Sequence, residues 1–289
     1  MHYYLSSIAR YSREPDKFIK TARNISRGAL VDTYVVSWPK TGRTWLRVLM
    51  GKALAEVTGN PDSKVLDTYA LSRQAPCDTV MFSHGGRFHL FDPSHYQQLK
   101  FNQRRFGGKK VIFLTRDIRD TLVSSFFQES KRTEVFKGDI GEFIRDPQLG
   151  VRKIVSFYNL WYQNHQSTRG FASVTYESLH ANPTVELQKL LAFLGLEQVE
   201  NSLLEQAVEY ADFGHMKKLE TSGTFHDSMM RPGRKNDGES LKVRRGKVGG
   251  FVDYLDDDMQ AYIKEVVDEL AVEGCDWYFS PESNPATTP

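Results

Sequence analysis

Cysteine is nearly missing from this chain: Cys77 and Cys275 are the only two in 289 residues. They lie far apart and match no metal-ligand spacing, which argues against a secreted disulfide framework and for a reducing compartment. Long apolar runs are missing as well. The longest, such as Val111-Ile112-Phe113-Leu114, fall far below the ~20 residues needed to span a bilayer. The segment from Met1 to Pro15 has no apolar stretch and carries Arg10, Arg13 and Glu14, so it does not read as a secretory signal. A cytoplasmic protein with no membrane partner is expected. Excess charge of one sign is also lacking: 38 Lys+Arg against 36 Asp+Glu leave a formal +2. That balance removes the global argument for nucleic-acid binding or a polybasic membrane surface. Any cationic site must be local.

What the chain does contain is ordinary globular stock, 40% hydrophobic and 26% charged, enough for a sizeable core. Asp32 to Ser37 is a β-branched strand signal, and Thr79–Ser83, Lys109–Thr115 and Phe171–Thr175 are three more. Between them run helical patterns. An amphipathic stretch spans Thr44 to about Val57. Asp117 reads as the N-cap of a helix carrying Val123 and Phe127. Asn182-Pro183 opens a helix whose Leu187, Leu190, Leu191 and Leu194 face a core until Gly195 stops it. Strands alternating with helices predict an α/β fold: a single domain over 1–280, its central, mostly parallel sheet covered by helices on both faces. The Pro/Ser/Thr-rich tail 281–289 reads as disordered. In such sheets ligands sit beyond the carboxyl ends of the strands.

The loop after the first strand, Ser37-Trp38-Pro39-Lys40-Thr41-Gly42-Arg43-Thr44-Trp45, has the chemistry for an anion. Gly42 permits a tight turn, and the backbone N–H groups at the helix start form a nest. Lys40, Arg43 and the hydroxyls of Thr41 and Thr44 add charge and donors. It is not a Walker A loop, because the lysine precedes the glycine and the G-x-x-x-x-G-K-[ST] spacing is absent. By local physics alone, an ordinary strand-to-helix turn with solvated charges explains it as well.

These residues resemble the soluble sulfotransferases. Pro39 to Trp45 is similar to that family's P-K-S-G-T-T-W loop for the 5′-phosphosulfate, with Thr41 for Ser and Arg43 for Thr. Arg116 and Ser124, eight residues apart, resemble its 3′-phosphate element, although pairing of Arg116 with Asp117 or Asp120 is the bland alternative. Arg244-Arg245-Gly246 resembles its R-K-G-x-x-G-D element, with Gly250 where the final Asp is usual. Tyr176 and Phe213 match the tyrosine and phenylalanine that contact adenine, and Trp45 is a further stacking candidate. The resemblance implies 3′-phosphoadenosine 5′-phosphosulfate (PAPS) as donor and the desulfated nucleotide (PAP) as product.

The same resemblance gives His84, in Phe82-Ser83-His84-Gly85-Gly86, the place of the catalytic base. A histidine titrates near neutrality and suits removal of a hydroxyl proton. His89 is the second choice, and Lys40 is the candidate to stabilise the departing bridge oxygen. No His/Cys/carboxylate cluster has metal spacing, and the transfer needs no metal. The expected acceptor is a small hydroxyl or amine compound under a polar lid. That lid spans 219–250 together with the 3′-phosphate loop, and its charge points to a hydrophilic acceptor. A nucleotide kinase or NTPase, and a non-catalytic nucleotide-binding protein, are the alternatives. The family's dimer motif, K-x-x-x-T-V-x-x-x-E, is not evident.

Overall fold

The computed structural model describes residues 27–85, 96–223, 225, 230 and 238–275. The tail 281–289 and His89 lie outside them. Four strands form one sheet: β1 (Thr33–Ser37), β2 (Val80–Ser83), β3 (Lys110–Thr115) and β4 (Gly170–Thr175), in spatial order β2-β1-β3-β4. All three pairings are parallel, with Thr33 opposite both Val80 and Lys110, and Lys110 opposite Gly170. The described sheet is thus wholly parallel, where the sequence led us to expect mostly parallel.

A central parallel strand has no solvated face, and β1 is buried at every position. Its side chains divide by the two-residue period. Val35 joins Ile112 and Leu114 in a core with Leu46, Leu49 and Leu191; Tyr34 and Val36 join Val111 and Phe113 in a second core with Leu122, Ile154 and Ile263. The first core is covered by α1 (Arg43–Thr58), the short α2 (Thr68–Ser72) and later helices described below. The second is closed by α3 (Gln103–Phe106), α4 (Ile118–Phe127), α5 (Ile140–Arg145) and α6 (Val151–Asn164).

After β4 come α7 (Tyr176–Ala181), α8 (Pro183–Phe193), α9 (Asn201–Tyr210) and α10 (Phe213–Ser222), and α11 (Asp257–Leu270) follows a loop region. Local chemistry sets several ends. Asp117 Oδ1 accepts the Arg119 N–H at 2.8 Å, the expected N-cap. Pro183 is the first residue of α8, though Asn182 makes no side-chain capping bond. Gly195, at φ +97°, donates to Ala192 and ends that helix.

Leu219 to Ser222, read as the start of a lid, form the last turn of α10. Asp212 caps this helix through the N–H groups of Gly214 and His215, and Met216, Leu219 and Glu220 are buried. Burial and capping outweigh the polar composition of Thr221-Ser222-Gly223.

The helix after β1 packs on one face of the sheet and the helix after β3 on the other. Strands β1 and β3 are neighbours, so their outgoing chains diverge and leave a crevice at the carboxyl edge.

Candidate active site

A cavity of about 830 Å³ occupies that crevice. Among the described residues, every site residue expected from the sequence lines it except Thr41. Thr41 is fully buried and donates its hydroxyl to the Trp38 carbonyl at 2.9 Å. It shapes the loop from inside.

The loop is tightly bent. Lys40 adopts φ +73° and Gly42 φ +94°. A β-carbon on Gly42 would lie 2.5 Å from Cδ2 of Tyr176, so only glycine lets that ring pack over the turn. Helix α1 starts at Arg43 with no side-chain cap and no acidic residue in its first turn. Its leading N–H groups and dipole therefore favour an anion where Gly42, Arg43 and Thr44 meet the cavity.

The side-chain charges are unbalanced in the same direction. Among the described residues, neither Lys40 nor Arg43 joins an ion pair. Lys40 Nζ donates to Oε1 of Gln128 at 3.4 Å. Burial pushes its ammonium down to about 7, the positive charges of Lys242, Arg132 and Arg116 push the same way, and Glu220 opposes them. Burial, then Arg47, lowers Arg43 to about 9. Lys242 falls to about 8, from burial and then Arg43 and Arg132. Among the described residues that line this partly dehydrated space, basic side chains outnumber acidic ones.

Arg116 leaves the end of β3 and is held on several sides. Its guanidinium donates to the carbonyls of Lys247 at 3.0 Å and Lys40 at 3.4 Å, and lies 4.2 Å over the Tyr176 ring. It also pairs with Asp120 at 3.4 Å, the bland partner weighed above. Its Nε is buried without a hydrogen-bond partner. Asp120 does more: its carboxylate accepts the N–H groups of Gly249 and Phe251, both at 2.9 Å. One side chain thus fastens the Arg244–Gly250 segment to α4. Arg244 pairs with Glu239 and lies 4.1 Å over Phe127, while Arg245 pairs with Asp253 at 2.7 Å.

Flat rings form another part of the wall. Trp45 meets Tyr176 edge to face at 5.4 Å and donates its indole N–H to the Ala211 carbonyl. Phe213, 38% exposed, starts α10. Gly246, at φ +62°, approaches it so closely that a β-carbon would sit 2.3 Å from Cδ2 of Phe213.

His84 follows β2 directly. Because Ser83 pairs with Val36 of β1, the imidazole emerges beside Ser37. Nδ1 lies 3.0 Å from the Ser37 carbonyl oxygen. A carbonyl only accepts, so Nδ1 carries a proton, and in the neutral ring the lone pair is on Nε2. That is the tautomer of a base.

Sequence reasoning missed Gln128, Glu129 and Lys242, which also line the cavity. Asp120, Ser124 and Gln128 recur every four residues along α4 and beyond it, a periodicity that points them all to one face. Glu129 gave no such signal. It lies in a π-helical turn, Gln128–Arg132, that follows α4. Glu220, fully buried, accepts Arg132 and the N–H groups of Lys242 and Val243. That bonding positions Lys242.

Fold and site together define an α/β protein with a cation-lined cavity at a sheet switch point, with His84 in its wall. A family model described as the sulfotransferase domain matches residues 30–274, and the chain belongs to that family. Similar proteins include flavonol 3-sulfotransferase from Flaveria bidentis, 23% identical over 82% of this chain and 81% of that protein. Cytosolic sulfotransferase 5 from Arabidopsis thaliana is 24% identical over 82% and 79%. Two solved structures share the fold. A mouse sulfotransferase complexed with PAP superposes with a TM-score of 0.57 at 18% identity, covering 85% of this chain and 87% of that one. Retinol dehydratase in a complex with retinol and PAP gives 0.60 at 15%, covering 87% and 85%. Among the described residues no helix is long and apolar enough to cross a membrane. The family assignment decides against the kinase or NTPase alternative.

Proposed function

We propose that this chain transfers a sulfuryl group from PAPS to a hydroxyl of a small acceptor, releasing PAP. The observation that carries the reading is the joining, in one cavity, of two cations that have no ion-pair partner among the described residues, Lys40 and Arg43 at the α1 N-terminus, with a histidine whose Nδ1 faces a carbonyl. The first turn of α1, Lys40, Arg43 and Thr44 hold the phosphosulfate. Arg116, Ser124, Gly246 and the guanidinium groups of Arg244 and Arg245 receive the 3′-phosphate, exchanging their contacts to Glu239 and Asp253. Trp45, Tyr176 and Phe213 enclose the adenine. PAP in the structural relatives and the cytosolic relatives of plants support the donor and a cytoplasmic setting.

His84 Nε2 takes the acceptor proton as the acceptor oxygen bonds to sulfur and the bridge S–O bond breaks. Lys40 neutralises charge on the departing oxygen. Its ammonium is easily reprotonated at neutral pH, which suits that duty. His84→Ala is expected to abolish transfer while PAP binding, measured by calorimetry, stays within a few-fold. Full turnover in that variant would overturn the assignment.

A further inference from the structure

The two ends of the cavity differ in chemistry. One is aromatic and apolar, with Trp45, Tyr176, Val208, Phe213 and Met216 in its wall. At the other, Lys40 bonds Gln128, and next to Gln128 in the chain sits Glu129. Glu129 is fully buried. Its Oε2 accepts the Thr133 hydroxyl at 2.8 Å, whereas Oε1 is buried with no hydrogen-bond partner. A buried carboxyl oxygen left without a partner is costly, and native structures rarely keep one without a use. Glu129, Thr133, Gln128 and His84 all line this cavity, so its wall here is polar.

We propose that Glu129 receives the acceptor, and that the acceptor is a neutral compound with at least two hydroxyls. One hydroxyl is sulfated at His84, and another bonds Oε1 of Glu129. This rests on the sulfotransferase reading and adds the substrate class. An apolar alcohol would bury Glu129 without a partner. An ammonium would have to settle near Lys40 and Lys242, against their charge. A hydroxyl satisfies the carboxyl in either protonation state, since it both donates and accepts. The class departs from the retinol held by one structural relative.

The test compares three acceptors with radiolabelled PAPS: methyl β-glucoside, cyclohexylmethanol and 6-amino-1-hexanol. For the wild type, kcat/KM on the glucoside is expected to exceed that on the other two by at least about tenfold, the usual size for one buried polar partner. In Glu129→Leu the glucoside should lose that factor through KM, cyclohexylmethanol should not, and Glu129→Gln should retain most of the preference. Calorimetry of the PAP complex with the glucoside gives a readout without turnover. The inference is overturned by a wild type that prefers either other acceptor or takes none of the three. It also falls if Glu129→Leu leaves the ratio unchanged. If PAP itself fails to bind the wild type, the sulfotransferase reading fails first and this one falls with it. PAP binding without glucoside binding sinks this inference alone.

Discussion

Binding of PAP is expected to draw protons from solution, and the structure gives the number. Without ligand, Lys40 titrates at about 7 and Lys242 at about 8, both lowered chiefly by burial. A polyanion reverses the penalty by supplying the missing countercharge. At pH 8 Lys40 is about one-tenth protonated and Lys242 about half, so full protonation on binding takes up roughly 1.4 protons. The phosphate groups do not compensate, because their second ionisation, near pH 6, is already complete. Affinity must therefore fall as pH rises. Between pH 7 and 9 Lys40 alone accounts for about a 50-fold loss, or roughly 2 kcal/mol.

The assay is calorimetry at pH 8 in buffers of different ionisation enthalpy, where the slope of observed heat gives proton uptake directly. Lys40→Met should remove about 0.9 proton, and Lys242→Met about half a proton. An uptake near zero, or a dissociation constant unchanged from pH 7 to 9, would refute the claim that these ammonium groups await an anion. An unaltered slope in Lys40→Met would refute the role of that lysine specifically.

Three further outcomes can be checked. Gly42→Ala places a methyl against the Tyr176 ring at a backbone angle of φ +94°; it should cost about 2 kcal/mol or more in urea unfolding and weaken PAP binding. Asp120→Ala strips the Gly249 and Phe251 N–H groups of their acceptor, with about 1–3 kcal/mol lost and PAP affinity lowered; unchanged affinity by calorimetry would show that the loop holds without it. Burial raises Glu129 to about 7 against the ordinary 4.5, with Thr133 and Lys40 pulling the other way. The native state thus holds a proton that the unfolded state releases between those values, so this group's contribution to stability falls as pH rises through 7. Glu129→Gln should then gain relative to wild type by about 2 kcal/mol from pH 5 to 8 in urea melts, and a constant difference would count against it.

The strands were legible to within a residue because β-branched runs at a buried sheet centre leave little choice. The ends of α8 were legible because Pro183 and Gly195 act locally. The turn from β1 into α1 was legible too, since strand, turn and helix start are adjacent in sequence. What escaped depends on contacts between distant parts of the chain. Asp120 reads in sequence as a partner for Arg116, and only folding brings it to Gly249 and Phe251, 129 and 131 residues away. The π-helical turn that carries Glu129 has no compositional mark. Thr41 matched a phosphate-loop hydroxyl by position, yet the same tight turn that makes the loop also points that hydroxyl inward to Trp38.

The near-zero net charge and the depressed lysines are two sides of one arrangement. With 38 basic and 36 acidic side chains, the chain has enough carboxylates to neutralise its cavity, but it sets them elsewhere. Asp120 spends its carboxylate largely on backbone N–H groups, and Glu220 divides its own between Arg132 and two more. Those bonds fix the walls without supplying full countercharge to Lys40 or Arg43. The acidic groups fix the walls, while among the described residues Lys40 and Arg43 have no ion-pair partner. A bound polyanion then gains attraction without having to displace a carboxylate from Lys40 or Arg43, which is the preorganisation that strong anion binding requires. Replacing Gln128, the neutral partner of Lys40, by Glu would supply the missing countercharge and is the single change that should abolish that advantage.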